Sequence, residues 1–143
     1  MTVKAILARK GTDVATIEPN ATLSTAVLLL AKHRIGALVV TGADRRVVGI
    51  VSERDIVRTL AETGSQSLER AVAEVMTRKV VTCSERDTVA ELMERMTQGK
   101  FRHVPVVEQN RLVGIVSIGD VVKWRLHEMK RESGAMRDYI SAA

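Results

Sequence analysis

The chain has 143 residues and one cysteine, Cys83, which excludes an intrachain disulfide and a cysteine zinc cluster and fits a reducing compartment. Its 22 basic and 17 acidic residues leave a charge of +5 but interleave without a basic run of four, which favours a solvated mixed surface over a nucleic-acid interface. No apolar run approaches the ~18 residues of a membrane span, and the start MTVKAILARKG lacks a secretory apolar region, so a soluble, cytoplasmic protein is expected.

In chain order, Thr2 to Arg9 carries a short helical pattern that Gly11 should close. A brief strand is predicted over Asp13 to Ile17. Thr22 reads as a helix N-cap for a helix from Leu23 to about Arg34, which Gly36 should end. Leu28 and Leu29 widen its apolar face, which suggests either a subunit contact or deeper burial within the monomer. Strands Ala37 to Thr41 and Arg46 to Val51 flank a turn, and Ser52 opens a helix to about Thr63, ended by Gly64. Ser65 to Arg78 reads as a packed helical linker. The second unit predicts strand Lys79 to Cys83, helix Thr88 to Thr97, strands His103 to Val107 and Arg111 to Val116, and a helix from Ser117 to about Arg131. The expected units are 1–64, 65–78, 79–132 and a tail, 133–143, that includes Tyr139 and Ile140. No further domain is expected.

Two stretches of this pattern match. VVGIVSERDIV, from Val47 to Val57, and LVGIVSIGDVV, from Leu112 to Val122, place Gly, Ile, Val, Ser and Asp at a constant offset of 65 residues. Earlier in each unit the offset from Thr22 to Thr88 is 66, so the first unit carries one extra turn residue. Two units of about 65 residues are each marginal alone and should share a core, which with one Phe, one Tyr and one Trp must be aliphatic.

Ser52 with Asp55, and Ser117 with Asp120, have capping-box spacing at a helix N-terminus, worth about 1 kcal/mol per cap. The same groups also suit a ligand. Amides and a hydroxyl at a helix start bind phosphate, and a carboxylate accepts from a ribose diol.

The duplicated β-α-β-β-α order, closed by GIVSERD and GIVSIGD, resembles a pair of cystathionine β-synthase (CBS) domains, the Bateman module, of the stand-alone bacterial type. The resemblance covers about Asp13 to Ala61 and Lys79 to Met129. It implies an α+β fold of two pseudo-symmetric repeats packed sheet to sheet, homodimers built through the CBS helices, and binding of AMP, ADP, ATP, S-adenosylmethionine or NAD(H). The family's ribose-binding aspartates match Asp55 and Asp120, and its hydroxyl position matches Ser52 and Ser117. Its threonine near the first strand matches Thr16 and Thr82, with Ile17 beside the first. The adenine pocket is implied around Ile35 to Leu38, with Ala37, in one copy and around Phe101 to Val104, with Arg102 and His103, in the other, and Pro105 beside it is a further candidate. Arg102 and His103 resemble residues that reach phosphates, and Arg54 is a further candidate. His103 alone also reads as a structural hydrogen-bonder.

These readings lead to an adenosine-nucleotide sensor, AMP first, that signals to a separate effector protein. The rival is an interaction module without a ligand. An enzyme is not expected, because His33, His103 and His127 show no ligand spacing, Cys83 has no activating partner, and no Walker loop or GxGxxG is present. His33 and His127 read as cations near helix C-terminal ends. Trp124 either covers the core or anchors a second subunit. No metal site is expected.

Overall fold

The computed structural model describes residues 1–142, with side chains to Gly134. The first half comprises helix α1 (Val3–Lys10), strand β1 (Thr16–Ile17), helix α2 (Leu23–His33), strands β2 (Ala37–Thr41) and β3 (Val47–Ser52) and helix α3 (Glu53–Thr63). A 3-10 turn over Ser65–Glu69 leads to the short helix α4 (Val72–Val75). The second half continues with helix α5 (Val89–Gly99), strands β4 (His103–Glu108) and β5 (Arg111–Ser117) and helix α6 (Ile118–Ala142). The fold mixes helices with two small sheets, as the α+β expectation required.

In the first sheet β1 runs parallel to β2, and β2 is antiparallel to β3, with Val40 opposite Gly49. In the second, β4 and β5 are antiparallel, with Val106 opposite Gly114. Each hairpin has a register shift just after the pair that contains its glycine. Gln109 and Asn110 supply the two positive-φ residues of the second turn. The first turn bridges Thr41 to Val47 through a 3-10 turn at Ala43–Arg45, one residue longer than the equivalent span from Val107 to Leu112.

Some local expectations are corrected. The strand expected over Lys79 to Cys83 is a single parallel bridge between Cys83 and Val106. Cys83 N–H donates to Pro105 O at 3.0 Å, but Pro105 has no amide to return the next ladder bond, so pairing stops there. The first strand shortens to Thr16–Ile17. Helix α2 is ended by Arg34 in the left-handed conformation (φ 53°), ahead of Gly36. Helix α6 runs past Arg131 to Ala142 because Lys123 to Ser133 holds mostly good helix formers and no proline, which leaves His127 in mid-helix. Tyr139 and Ile140 fall within this helix, with side chains outside the described residues.

The shared core is also corrected. Among the described residues there are two apolar clusters with no buried residue in common. One gathers Ile17, Leu23, Ala26, Leu30, Leu38, Val40, Val51 and Ile56 with Val72 and Met76. The other gathers Cys83, Val89, Leu92, Met96, Val104, Val106, Val116 and Val121 with Val3, Ile6 and Leu7. The leading helix α1 therefore packs on the second half, while α4 packs on the first.

The two crossings are equivalent. Val3 N–H donates to Asp87 O and Lys4 N–H to Glu85 O, both at 2.9 Å, while Val72 N–H donates to Ala21 O at 2.8 Å and Ala73 N–H to Pro19 O at 2.9 Å. This contact explains the repeated glycines. A Cβ at Gly49 would lie 2.5 Å from Met76 Sδ, and one at Gly114 would lie 2.8 Å from a Leu7 methyl. A glycine lets the crossing helix sit against the strand without displacing the Met76 or Leu7 side chain, which any Cβ there would push aside. The halves also meet through Arg45 Nε, which donates to Leu112 O at 3.2 Å.

Leu28 is 68% exposed and Leu29 packs against the first core, so the adjacent leucines separate. Trp124 is half-buried against the second core. No helix among the described residues is long and apolar enough to cross a membrane.

Candidate functional site

Both repeated Ser and Asp pairs form reciprocal caps. Ser52 Oγ accepts from Asp55 N–H at 3.2 Å while Asp55 Oδ2 accepts from Ser52 N–H at 3.0 Å, and Ser117 with Asp120 repeats this at 3.1 and 2.8 Å. The carboxylates differ beyond the cap. Asp55 is buried, Ser52 O–H also donates to its Oδ2, and Arg58 binds its Oδ1 at 3.0 Å, so both oxygens are engaged. Asp120 Oδ2 is bound by Lys10 from helix α1, and its Oδ1 accepts no hydrogen bond among the described residues.

Lys10 is the product of the helix crossing. Its Nζ also donates to Ile115 O at 2.8 Å, on the exposed edge of β5. At the equivalent edge of β3, Ile50 exchanges two backbone hydrogen bonds with Thr77, at 3.0 and 2.8 Å. The short α4 ends early enough for the chain to extend along β3, whereas α1 stays helical to Lys10. One edge is thus covered by backbone and the other is met by the Lys10 side chain.

Beside that side chain lies a cleft of about 860 Å³ between the halves. The first half supplies Thr12 to Ala15, His33 to Ala37 and Arg45, and the second supplies His103, Ile115 and Ser117, with Lys10 at the rim. The volume lies within the ~300–1,000 Å³ of small-molecule sites. Lys10, Arg34 and Arg45 outnumber the carboxylate of Asp13 among the lining side chains, so the cleft favours an anion.

Of the residues singled out from sequence, the cleft brings together Ala37, His103 and Ser117, and Asp120 is held one step away by Lys10. Thr16 and Ile17 continue directly from the lining residue Ala15, with Ile17 turned into the core. Val104 and Pro105 are buried in β4. Ser52 and Asp55 sit at the other cap, and Arg54, Thr82 and Arg102 are exposed outside the lining. Sequence reasoning missed Lys10, Asp13, His33, Arg34 and Arg45 as cleft residues. The apolar positions Val3, Ile6 and Leu7 recur as Val72, Val75 and Met76 at an offset of 69 residues, a likeness of α1 and α4 that stops short of Lys10.

Electrostatics within the cleft combine burial with the charge of the same lysine. Burial lowers the pKa of His103, and the charges of Lys10 and Arg102 add to this against Asp120 and Glu53. Burial alone would raise Asp120, but the hydrogen bonds from Lys10 and the Ser117 amide and the Lys10 charge outweigh it and hold the carboxyl below its ordinary value. Burial, reinforced by Asp87, pushes the Cys83 thiol up to about 12, so it is not a nucleophile at neutral pH.

The histidine shift has a measurable consequence. As pH falls through the ordinary value of 6.5, the unfolded chain protonates before the folded one, so stability drops until the lower folded pKa is reached. Urea midpoints at pH 7.5 and pH 5.5 should fall less in His103→Gln than in the parent. An equal fall in both would show that His103 does not carry the effect. Asp120 acts in a separate window, its contribution being present above the ordinary carboxylate pKa and lost as pH falls through its depressed value.

The CBS domain family model matches residues 3–62 and 72–127, so each match opens at one of the crossing helices. The mitochondrial CBS domain-containing protein CBSX3 of Arabidopsis thaliana is 36% identical over 123 residues, which cover 83% of this chain; the chain spans 60% of that relative. The crystal structure of the CBS-domain containing protein ATU1752 from Agrobacterium tumefaciens matches with TM-score 0.84 and 51% identity, covering 87% of this chain and 99% of that one. The CBS domain pair of protein MJ0100, solved in complex with 5-methylthioadenosine and S-adenosyl-L-methionine, matches with TM-score 0.80 and 29% identity, covering 90% and 98%. Two family matches on two equivalent halves, each closed by the same capped glycine motif, establish that the chain belongs to the CBS domain family and carries the domain as a pair.

Proposed function

We propose that the protein is a regulatory module that binds an adenosine nucleotide in the cleft between its halves, AMP foremost, with ATP, ADP, NAD(H) and S-adenosylmethionine as competitors. The observation that carries this reading is the cleft itself, where backbone from Ile35 to Ala37, the Ser117 cap and several cations converge in about 860 Å³. Adenosine-type ligands in the similar MJ0100 pair support it.

In this reading the adenine lies against the backbone of Ile35 to Ala37 and Asp120 accepts from the ribose hydroxyls. Arg34, Arg45 and Lys10 surround the phosphate, and His103 donates a hydrogen bond as a neutral imidazole. Asp55 serves the fold, because its oxygens are already engaged. The module does not act as an enzyme. Binding alters a separate effector protein only if the ligand prefers one arrangement of the halves or of a homodimer built through the CBS helices.

Calorimetric titration of nucleotide-free protein with AMP, ATP, ADP, NADH and S-adenosylmethionine tests the proposal. AMP should saturate near one site per chain, and Asp120→Ala should weaken it at least tenfold, about 1.4 kcal/mol. Asp55→Ala should lower stability and leave affinity nearly unchanged. Absence of heat with every compound would favour the second reading, an interaction module, for which the exposed apolar side chains Val27, Leu28 and Val57 on α2 and α3 provide a surface.

A further inference from the structure

A second concave site lies outside the cleft, where helix α1 crosses helix α6. The groove has a volume of about 660 Å³. Arg9 enters it from α1, and Lys123, His127 and Lys130 enter it from α6 at helical spacings of four and three residues. Its one lining carboxylate, Asp120, is neutralised by Lys10. Arg9, Lys123 and Lys130 have no carboxylate partner among the described residues. Three like charges therefore converge on one concavity in a protein whose charges otherwise interleave.

The floor of the groove narrows the ligand class. Trp124 is its aromatic residue, but the indole N–H is bound to Glu128 Oε1 at 2.8 Å and the ring face is covered by the Arg9 guanidinium at 5.7 Å. A stacked base would have to displace Arg9, whereas a flexible polyanion can lie along the cations and leave that contact intact. A carboxylate or other single anion would compensate only one of the three charges.

We propose that the groove between α1 and α6 binds an oligophosphate chain, with Arg9, Lys123 and Lys130 as its counter-charges. The site is separate from the nucleotide reading of the cleft and stands whether or not that reading holds. The sites share Lys10, which lines both, and meet at Asp120, which lines the groove and is assigned to the ribose in the cleft reading, but none of the three counter-charges lines the cleft.

Trp124 is the sole tryptophan, so its emission reports on this groove directly. Inorganic tripolyphosphate titrated at low ionic strength should change the emission saturably. Affinity should fall at least tenfold in Lys123→Ala with Lys130→Ala, and separately in Arg9→Met, with far-UV circular dichroism confirming an intact fold. Arg45→Ala, a cleft variant, should retain parental affinity. The proposal is overturned if the parent shows no saturable change, or if sulfate at equal ionic strength reproduces it. It is equally overturned if the Arg45 variant loses binding while the double lysine variant keeps it, since the anion would then sit in the cleft. An AMP titration of the double lysine variant reads the cleft independently.

Discussion

Deleting residues 1–10 is expected to unfold the second half of the chain while the first half keeps its structure. Val3, Ile6 and Leu7 are all nearly inaccessible and belong to the cluster of Leu92, Val104 and Val116. At about 1.5–3 kcal/mol for each buried aliphatic side chain, their removal costs roughly 5–9 kcal/mol, comparable with the ~5–15 kcal/mol total stability of a small domain. The loss of two backbone hydrogen bonds to Glu85 and Asp87, and of the Lys10 pair with Asp120, adds to it. Hydrogen exchange separates the halves: amides of β4 and β5 should lose protection, and those of β2 and β3 should retain theirs. Greater loss in β2 and β3 would place α1 on the first half and refute the crossing.

Leu38→Ala and Leu92→Ala should each destabilise by about 2–5 kcal/mol, with exchange protection lost first in the half that carries the substitution. Both side chains are fully buried, Leu38 in one cluster and Leu92 in the other, and no cluster residue is shared. In the double variant the two costs should therefore add to within about 0.5 kcal/mol in urea unfolding. A coupling well above that value would mean that the halves are packed as one core.

The parts of this architecture that were legible in the sequence are those set by near neighbours. Ser52 with Asp55 and Ser117 with Asp120 cap their helices because a Ser and an acid three residues on can reach each other's amides and no others. The hairpins and the extra turn residue are local in the same sense, whereas the repeated glycine was legible only as a repeat, its reason being the distant side chains of Met76 and Leu7. Even the lost strand at Lys79 to Cys83 had a written signal, Pro105, whose missing amide takes effect only once Cys83 is known to pair beside it. For Leu28 and Leu29 adjacency was visible but the direction of each side chain was not, and the fold exposed one and packed the other.

By itself, the sequence determined the duplicated unit, the order of its helices and hairpins and its capped motifs, since each depends on contacts within a few residues. Only the tertiary structure decided that α1 crosses to the second half and that Lys10 meets Asp120 from 110 positions away. It also decided that one strand edge is sealed by Thr77 while its equivalent is held by a lysine, beside a cleft lined by Arg34 and Arg45. No local pattern encodes such meetings, because two crossings with nearly the same apolar spacing differ only in where each helix stops. That stopping point sets which polar group reaches the facing sheet.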